Sequence, residues 1–532
     1  MRPPRLSCLA VSACVSTLAS AASLEDRLEL LSRPPIGKLL ALSPDGHRVA
    51  YTTQTATDTQ IVMVNVEQPD QRRIITVESA PEGTAAAENR TPVELRFLRW
   101  ASNTRLVYAP VVREVPLPPI TDKQGRTLPN PDGPTVIAPI MATDADGRQR
   151  GTLVDARDFQ EAPEDARRTL ADFLRSPIEM SKRRKDEPVR WRMPRLEVLG
   201  FFPRDRDQLI VGTHGAYSLP MRHLVDIRTG HVQAFGEDWP APPGEPQVYD
   251  WHRLKVVGER RDAALPATAW HDADLEKLQR MLAAKFPRRA VEILDWSETR
   301  ARVLLRVTGG TDPGRVFVYQ RTEDVAVEIM RRAPWLTGKP LHETRHFEFA
   351  AADGATLSGW LTWPEKAAAP PPLVLVFPPR IPGPAHPAFD PEAQVFADLG
   401  FAVARLNPRA IAGARPADEP APGDAFDRVA VADGRAAIDW LAARPARAID
   451  RGRVAALGRG LGARLAGHAV QLEPAVFRAG VAIGSQEAAR STVLPIADPG
   501  AGAAARASAY RRIAEFLQRH VPGPAAAATE AP

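Results

Sequence analysis

The chain has 532 residues, 44% hydrophobic and 25% charged, so it is long enough for two or more cores and has an ordinary globular composition. Its 35 glycines and 52 prolines predict many loops but stay below the level of a low-complexity chain. A net charge of +5 is too small for this length to argue nucleic-acid binding, and no nucleic-acid partner is expected.

Arg2 and Arg5 precede an apolar run from Leu6 to Ala22 that ends in Ala19-Ser20-Ala21-Ala22. That layout predicts a signal peptide over residues 1–22, cleaved after Ala21 or Ala22, and a periplasmic or secreted protein. The run falls short of a spanning helix, so no stable transmembrane segment is expected in the mature chain. Val11-Ser12-Ala13-Cys14 resembles a bacterial lipoprotein box, and the alternative is a chain lipid-anchored through Cys14. Cys8 and Cys14 are the only cysteines, so the mature chain has no disulfide, thiolate metal site or cysteine nucleophile.

Residues 23–338 read as short strands separated by turn residues. Leu42-Ser43-Pro44-Asp45-Gly46 leads into Arg48-Val49-Ala50-Tyr51. Leu95 to Trp100 leads through Asn103 to Arg105-Leu106-Val107-Tyr108, and Ile293 to Trp296 leads through Glu298 to Ala301–Leu305. Each of these two is a strand, a tryptophan, a polar turn and another strand, which predicts the blades of an all-β propeller. Ala162–Arg175 and Leu275–Lys285 have helical spacing and read as insertions between blades. Lys182-Arg183-Arg184-Lys185 runs straight into Asp186-Glu187 and reads as a solvated loop.

His342-Glu343-Thr344-Arg345-His346 matches H-E-x-x-H, with Glu365 the nearby candidate for a third ligand. The motif binds zinc only on a helix, where its histidines share a face. Here it follows Pro340 and enters the alternating strand His346-Phe347-Glu348-Phe349, so no metal or cofactor is expected.

From 339 to 522 strands alternate with amphipathic helices, the grammar of a doubly wound, mostly parallel sheet. Phe347–Phe349 and Leu357–Trp363 predict a leading hairpin, and Leu373–Phe377 a strand buried on both faces. Next come a helix at Pro391–Leu399, a strand at Ala402–Leu406, a helix at Phe426–Ala443 and a strand at Arg453–Leu457. A helix at Leu461–Gln471 and a strand at Ala479–Ile483 follow, and 523–532 reads as a disordered tail.

At this point the chain resembles the prolyl oligopeptidase family of serine peptidases, in its bacterial dipeptidyl and acylaminoacyl peptidase branch. The resemblance is carried by Phe389-Asp390-Pro391-Glu392, Leu399-Gly400-Phe401-Ala402-Val403, Asn407-Pro408-Arg409, Asp433–Leu441, Asp450–Val454 and Phe477–Val481. It implies an α/β-hydrolase domain preceded by an all-β propeller domain. It also implies a Ser-His-Asp triad, and there this sequence departs. The nucleophile elbow G-x-S-x-G is here Gly458-Arg459-Gly460-Leu461-Gly462, and Gly460 has no hydroxyl with which to form an acyl-enzyme. The oxyanion loop, usually His-Gly-Gly, is Phe377-Pro378-Pro379-Arg380, whose two prolines supply no N–H. After the elbow only Asp498, His468 and His520 remain as acid and base candidates, and Tyr510–Val521 is similar to the family's last helix.

No catalytic residue is therefore assigned. Arg380, Arg409, Arg459 and Arg464 fall near the carboxyl end of the sheet, where open α/β folds bind ligands, and are candidates for an anion or carboxylate site. The expected function is a pseudopeptidase that binds peptides or a protein partner. The alternative is an exopeptidase or acyl hydrolase with a displaced nucleophile such as Ser485 or Ser491.

Overall fold

The computed structural model describes residues 24–55, 57–77, 93–110, 113–115, 120–121, 127–128, 135–137, 140–154, 195–202, 205, 207–214, 221–235, 247–261, 267–287, 289–365, 370–379, 389–407, 423–445, 447–484, 492–498 and 503–522. Five antiparallel sheets occupy the first part of the chain. The first runs Leu40–Leu42, Arg48–Gln54, Thr59–Asn65 and Gln68–Val77 in simple succession. The second holds Leu95–Trp100, Arg105–Pro110, Ile140–Asp144 and Gly151–Val154, and the third spans 195–234. Three strands between 247 and 270 make the fourth, and four between 290 and 331 the fifth.

These sheets are the blades of a five-bladed propeller, with hydrophobic cores joining four of the five neighbouring pairs and a shared cavity wall of Phe201, Phe202, Trp251 and Leu254 between the third and fourth. Ala50 and Ile61 of the first sheet share a core with Leu98 and Tyr108 of the second, and Val107 joins Val211 of the third. The fourth packs on the fifth through Val257 and Val303, and the fifth returns to the first through Leu304, Val318, Tyr51 and Val62. Trp100 and Trp296, both at the ends of first strands, are buried between blades. Turns on one face tie neighbouring blades together. The Asp45 N–H donates to Asn103 Oδ1 at 3.0 Å, Glu298 N–H to the Pro44 carbonyl at 2.8 Å, and Leu42 N–H to the buried Asp295 carboxylate at 3.0 Å.

The described residues begin with a helix where only strands were expected: α1, Leu24–Ser32. A second helix, α2 at Ala273–Lys285, follows the fourth blade as its spacing predicted. Asp272 caps it by accepting from the amides of Asp274 and Leu275, and Leu275, Leu278 and Leu282 are buried against the fifth blade. The helix expected at Ala162–Arg175 lies outside the described residues.

The second domain is one seven-stranded sheet of β1 (Thr344–Ala350), β2 (Thr356–Thr362), β3 (Leu373–Phe377), β4 (Ala402–Leu406), β5 (Val454–Arg459), β6 (Phe477–Ile483) and β7 (Val493–Ile496). The spatial order is β1-β2-β4-β3-β5-β6-β7, antiparallel at the β1-β2-β4 pairs and parallel from β4 onward. Helices α3 (Pro391–Asp398), α4 (Asp424–Ala442), α5 (Leu461–Leu472) and α6 (Ala503–His520) connect or follow the strands. This is the α/β-hydrolase fold.

Strand alternation divides the core into two layers. Leu373, Leu375 and Phe377 face α4 and α5 with Phe426, Ile438, Leu465 and Ala466. Val374 and Val376 face the other side, with Phe396 of α3 and Tyr510, Ile513 and Leu517 of α6. Leu28 and Leu31 of α1 are buried in this second layer, so the first helix of the chain packs on the last domain. Arg27 reinforces the docking with a 3.0 Å ion pair to Asp398, which also accepts from His342 Nε2 at 2.9 Å.

Candidate functional site

Parallel α/β sheets offer their ligands the carboxyl ends of the strands. There β5 runs into α5 through a turn of one residue, Gly460, at φ 52° and ψ −119°. That φ lies in the left-handed region, where an L side chain is strained. The flanking glycines are required by contact: a Cβ on Gly458 would fall 2.2 Å from the Gly462 backbone, and one on Gly462 would fall 2.6 Å from the Phe377 carbonyl oxygen. The sharp elbow implied by the sequence resemblance is therefore built, and its apex carries no side chain.

The loop after β3 closes over that apex. The Leu461 N–H donates to the Pro379 carbonyl oxygen at 3.0 Å, and the same oxygen lies 2.9 Å from where a Cβ on Gly460 would sit. In α/β-hydrolases the amide after the nucleophile is one of the donors that stabilise the oxyanion. Here that amide already has a protein acceptor. Sequence reasoning found the prolines by their missing N–H groups and missed this contact, which a backbone carbonyl makes.

A cavity of about 230 Å³ opens beside the elbow, lined among others by Phe377, Pro379, Glu392, Gly458, Arg459 and Tyr510. Arg459 Nη2 donates to Glu392 Oε2 at 2.6 Å. Asp390 caps α3 by accepting from the Glu392 amide at 2.8 Å and takes a second bond at 3.1 Å from Arg405, whose side chain is 1% exposed. Burial pushes the Glu392 carboxyl up, against the pull of Arg459. Burial also lowers the Arg405 guanidinium and raises the Tyr510 phenol. Burial lowers the Arg459 guanidinium, but Glu392, Tyr510 and Asp498 together outweigh it, and its net shift is upward.

The structure separates the arginines that the sequence grouped. Arg459 points toward α3 and α6. Arg464, in the first turn of α5, pairs with the buried Asp427 of α4 at 2.9 Å on the other side of the sheet. Arg380 and Arg409 lie outside the described residues, as do Ser485 and Ser491. The carbonyl oxygens of Pro378 and Pro379 lie against the elbow, 2.9 Å from where a Cβ on Gly462 and on Gly460 would sit.

The three acid and base candidates are dispersed. His468 lies on α5, with its Nδ1 2.5 Å from the same Asp427 that holds Arg464. His520 ends α6, its Nδ1 3.0 Å from the Phe516 carbonyl and its ring against the Phe516 ring. Asp498 follows β7 and is exposed at the carboxyl edge, close enough to Arg459 to favour its charged form. The H-E-x-x-H segment is extended: His346 lies in β1 against Trp360, while His342 accepts at Nδ1 from the Glu365 amide at 3.1 Å. Among the described residues no group of three or more His, Cys, Asp or Glu is placed to hold a metal ion. No described helix is long and apolar enough to cross a membrane.

No protein-family profile matches this chain, and no curated protein matches it. Solved structures do. An acylaminoacyl peptidase from Pyrococcus horikoshii is 14% identical, with 84% of this chain and 70% of that chain covered and a TM-score of 0.45. A prolyl endopeptidase, from a study of two such enzymes, is 12% identical over 94% and 79% of the two chains with a TM-score of 0.46. Dipeptidyl peptidase 4 from Porphyromonas gingivalis is 14% identical over 91% and 71%, with a TM-score of 0.35. The solved structures to which this chain is similar are thus peptidases of the prolyl oligopeptidase family.

Proposed function

We propose that this chain is an exported, prolyl oligopeptidase-like pseudopeptidase that binds peptides or a protein partner without hydrolysing them. The observation that carries the reading is the closed elbow: Gly460 supplies no nucleophile and the Leu461 amide is occupied by the Pro379 carbonyl. Acyl transfer needs a nucleophile with a base in reach and donors aimed at the developing oxyanion. His468 is engaged by Asp427 and His520 by Phe516, so neither base candidate is directed at the elbow. Export rests on the apolar leader that precedes the first described helix.

The test is a fluorophosphonate probe followed by mass spectrometry of the intact protein, together with turnover of peptide and ester substrates. No adduct and no turnover are expected. Stoichiometric modification of Ser485, Ser491 or any other serine would replace this reading with that of a hydrolase whose nucleophile is displaced.

A further inference from the structure

We propose that the cavity beside the elbow is a binding site for a carboxylate monoanion, held by Arg459 and Arg506. The proposal deepens the reading of the closed elbow as a binding site, and it stands on a different set of atoms.

The argument begins with Arg506. It lies one helical turn before Tyr510 on α6, close enough to Tyr510 and Arg459, which line the cavity, to interact with both. Its Nε and Nη2 are buried and have no hydrogen-bond partner among the described residues. Burial lowers its pKa, and the like charge of Arg459 adds to that lowering. A guanidinium withdrawn from water without an acceptor is costly, and native proteins satisfy nearly all such groups with protein, water or a bound ion.

The surrounding groups fix what is missing. Arg405 is matched by Asp390 at 3.1 Å and Arg459 by Glu392 at 2.6 Å, and the exposed Asp498 acts on Arg459 as well. Arg506 is the third cation of this group, and its Nε and Nη2 still have no acceptor among the described residues. A dianion such as phosphate would overcompensate beside these three carboxylates. A carboxylate carries one charge in a flat pair of acceptors that matches the guanidinium fork. The volume of about 230 Å³ suits a small organic acid or the terminal residue of a peptide.

The test uses the full chain and titration calorimetry with three probes: acetate, a short N-acetylated peptide with a free C-terminus, and the same peptide as its C-terminal amide. Chloride at equal ionic strength is the control. Binding of at least one acid and none of the amide is expected. Acetate alone binding would mark a small free acid as the ligand, and binding of the peptide acid would mark a chain terminus. Arg506→Gln should weaken the acid about tenfold or more, the loss of one charge-assisted contact. Arg506→Lys, which keeps the charge without the fork, should fall between. Circular dichroism checks the fold of each variant, and a carboxylate-dependent rise in the wild-type Tm that chloride does not reproduce gives a readout free of mutation. Equal binding of acid and amide, unchanged affinity in Arg506→Gln, or no heat and no Tm rise with any carboxylate would overturn the proposal. A fluorophosphonate adduct would overturn the pseudopeptidase reading and leave carboxylate binding untouched, so the two fail separately.

Discussion

The Leu461 amide donates to the Pro379 carbonyl at 3.0 Å across the mouth of the elbow, so the loop after β3 fills a position that faces substrate in a working hydrolase. The missing hydroxyl and the occupied donor are independent deficits. Restoring one leaves the other.

Gly460→Ser is therefore expected to remain inactive on peptide and ester substrates. Its Cβ would lie 2.9 Å from the Pro379 oxygen at a φ of 52°, so the substitution should also lower stability by about 1–3 kcal/mol. Denaturant unfolding measures the loss, and turnover assays check the inactivity. Turnover well above background would overturn the reading that base and oxyanion donors are both missing.

Gly462→Ala should be far more damaging than Gly338→Ala. The Cβ at 462 meets two backbone carbonyl oxygens, of Phe377 at 2.6 Å and Pro378 at 2.9 Å, and neither can yield without moving β3. Gly338 has a positive φ of 72° but open space around it, so alanine there should cost only about 1–2 kcal/mol. Comparable Tm values for the two variants would contradict the close approach of α5 and β3.

The propeller should show an acid-labile joint at Arg300. This side chain, 6% exposed, donates to the fully buried Asp250 at 2.9 Å and to Asp272 at 2.9 Å, linking the fourth blade, α2 and the fifth blade. Burial alone would push Asp250 up, but Arg300 and Arg253 outweigh it and hold its carboxyl below the usual range. Arg300 is the main cause of the lowered Asp272. A depressed carboxyl contributes stability that is full above its unfolded pKa of ~3.9 and is lost as pH falls through the folded value. Stability should thus decline below about pH 4. Arg300→Ala, which strands buried carboxylates, should cost about 3–5 kcal/mol at pH 7 and flatten that acid limb. Urea unfolding of both proteins from pH 3 to 7 measures it.

A fifth variant separates the helix docking from the ion pair that accompanies it. Asp398→Asn leaves Leu28 and Leu31 buried but removes the charge shared by Arg27 and His342, and a loss of about 1–3 kcal/mol is expected. An unchanged Tm would show that the apolar face of α1 suffices.

The legible parts of the sequence were those whose signal is local. Leu373–Phe377 and Ala402–Leu406 are strands with the expected bounds; the first is an uninterrupted apolar run, which leaves a buried parallel strand little freedom, and the second is apolar but for Arg405. The elbow was legible because its glycines at spacing two are required by contact, Gly458 against Gly462 and Gly462 against the end of β3. Helix α1 was missed although Leu28 and Leu31 sit at helical spacing, since nothing local says that a helix beside the leader buries its apolar face on α3 and α6. Glu392 and Arg506 were missed as site residues for the same reason. Arg464 looked like part of the carboxyl edge until the fold placed it on Asp427, together with His468 one turn further along α5.

The docking of α1 sets an order of events during synthesis. Arg27 meets Asp398 across 371 residues of chain, and Glu25 meets Arg511 across 486. At translation rates of ~5–20 residues per second the helix waits roughly 25–100 s for its last partner. In that interval Leu28 and Leu31 have no cover, while the propeller, made next, closes by itself through the contacts of its first and fifth blades. The hydrolase domain is thus interrupted by a unit that matures first, and its own completion is the late joining of the two ends of the chain. Such long-range closure is slow, and it leaves a greasy helix available to holdase chaperones for most of the time the chain is being made.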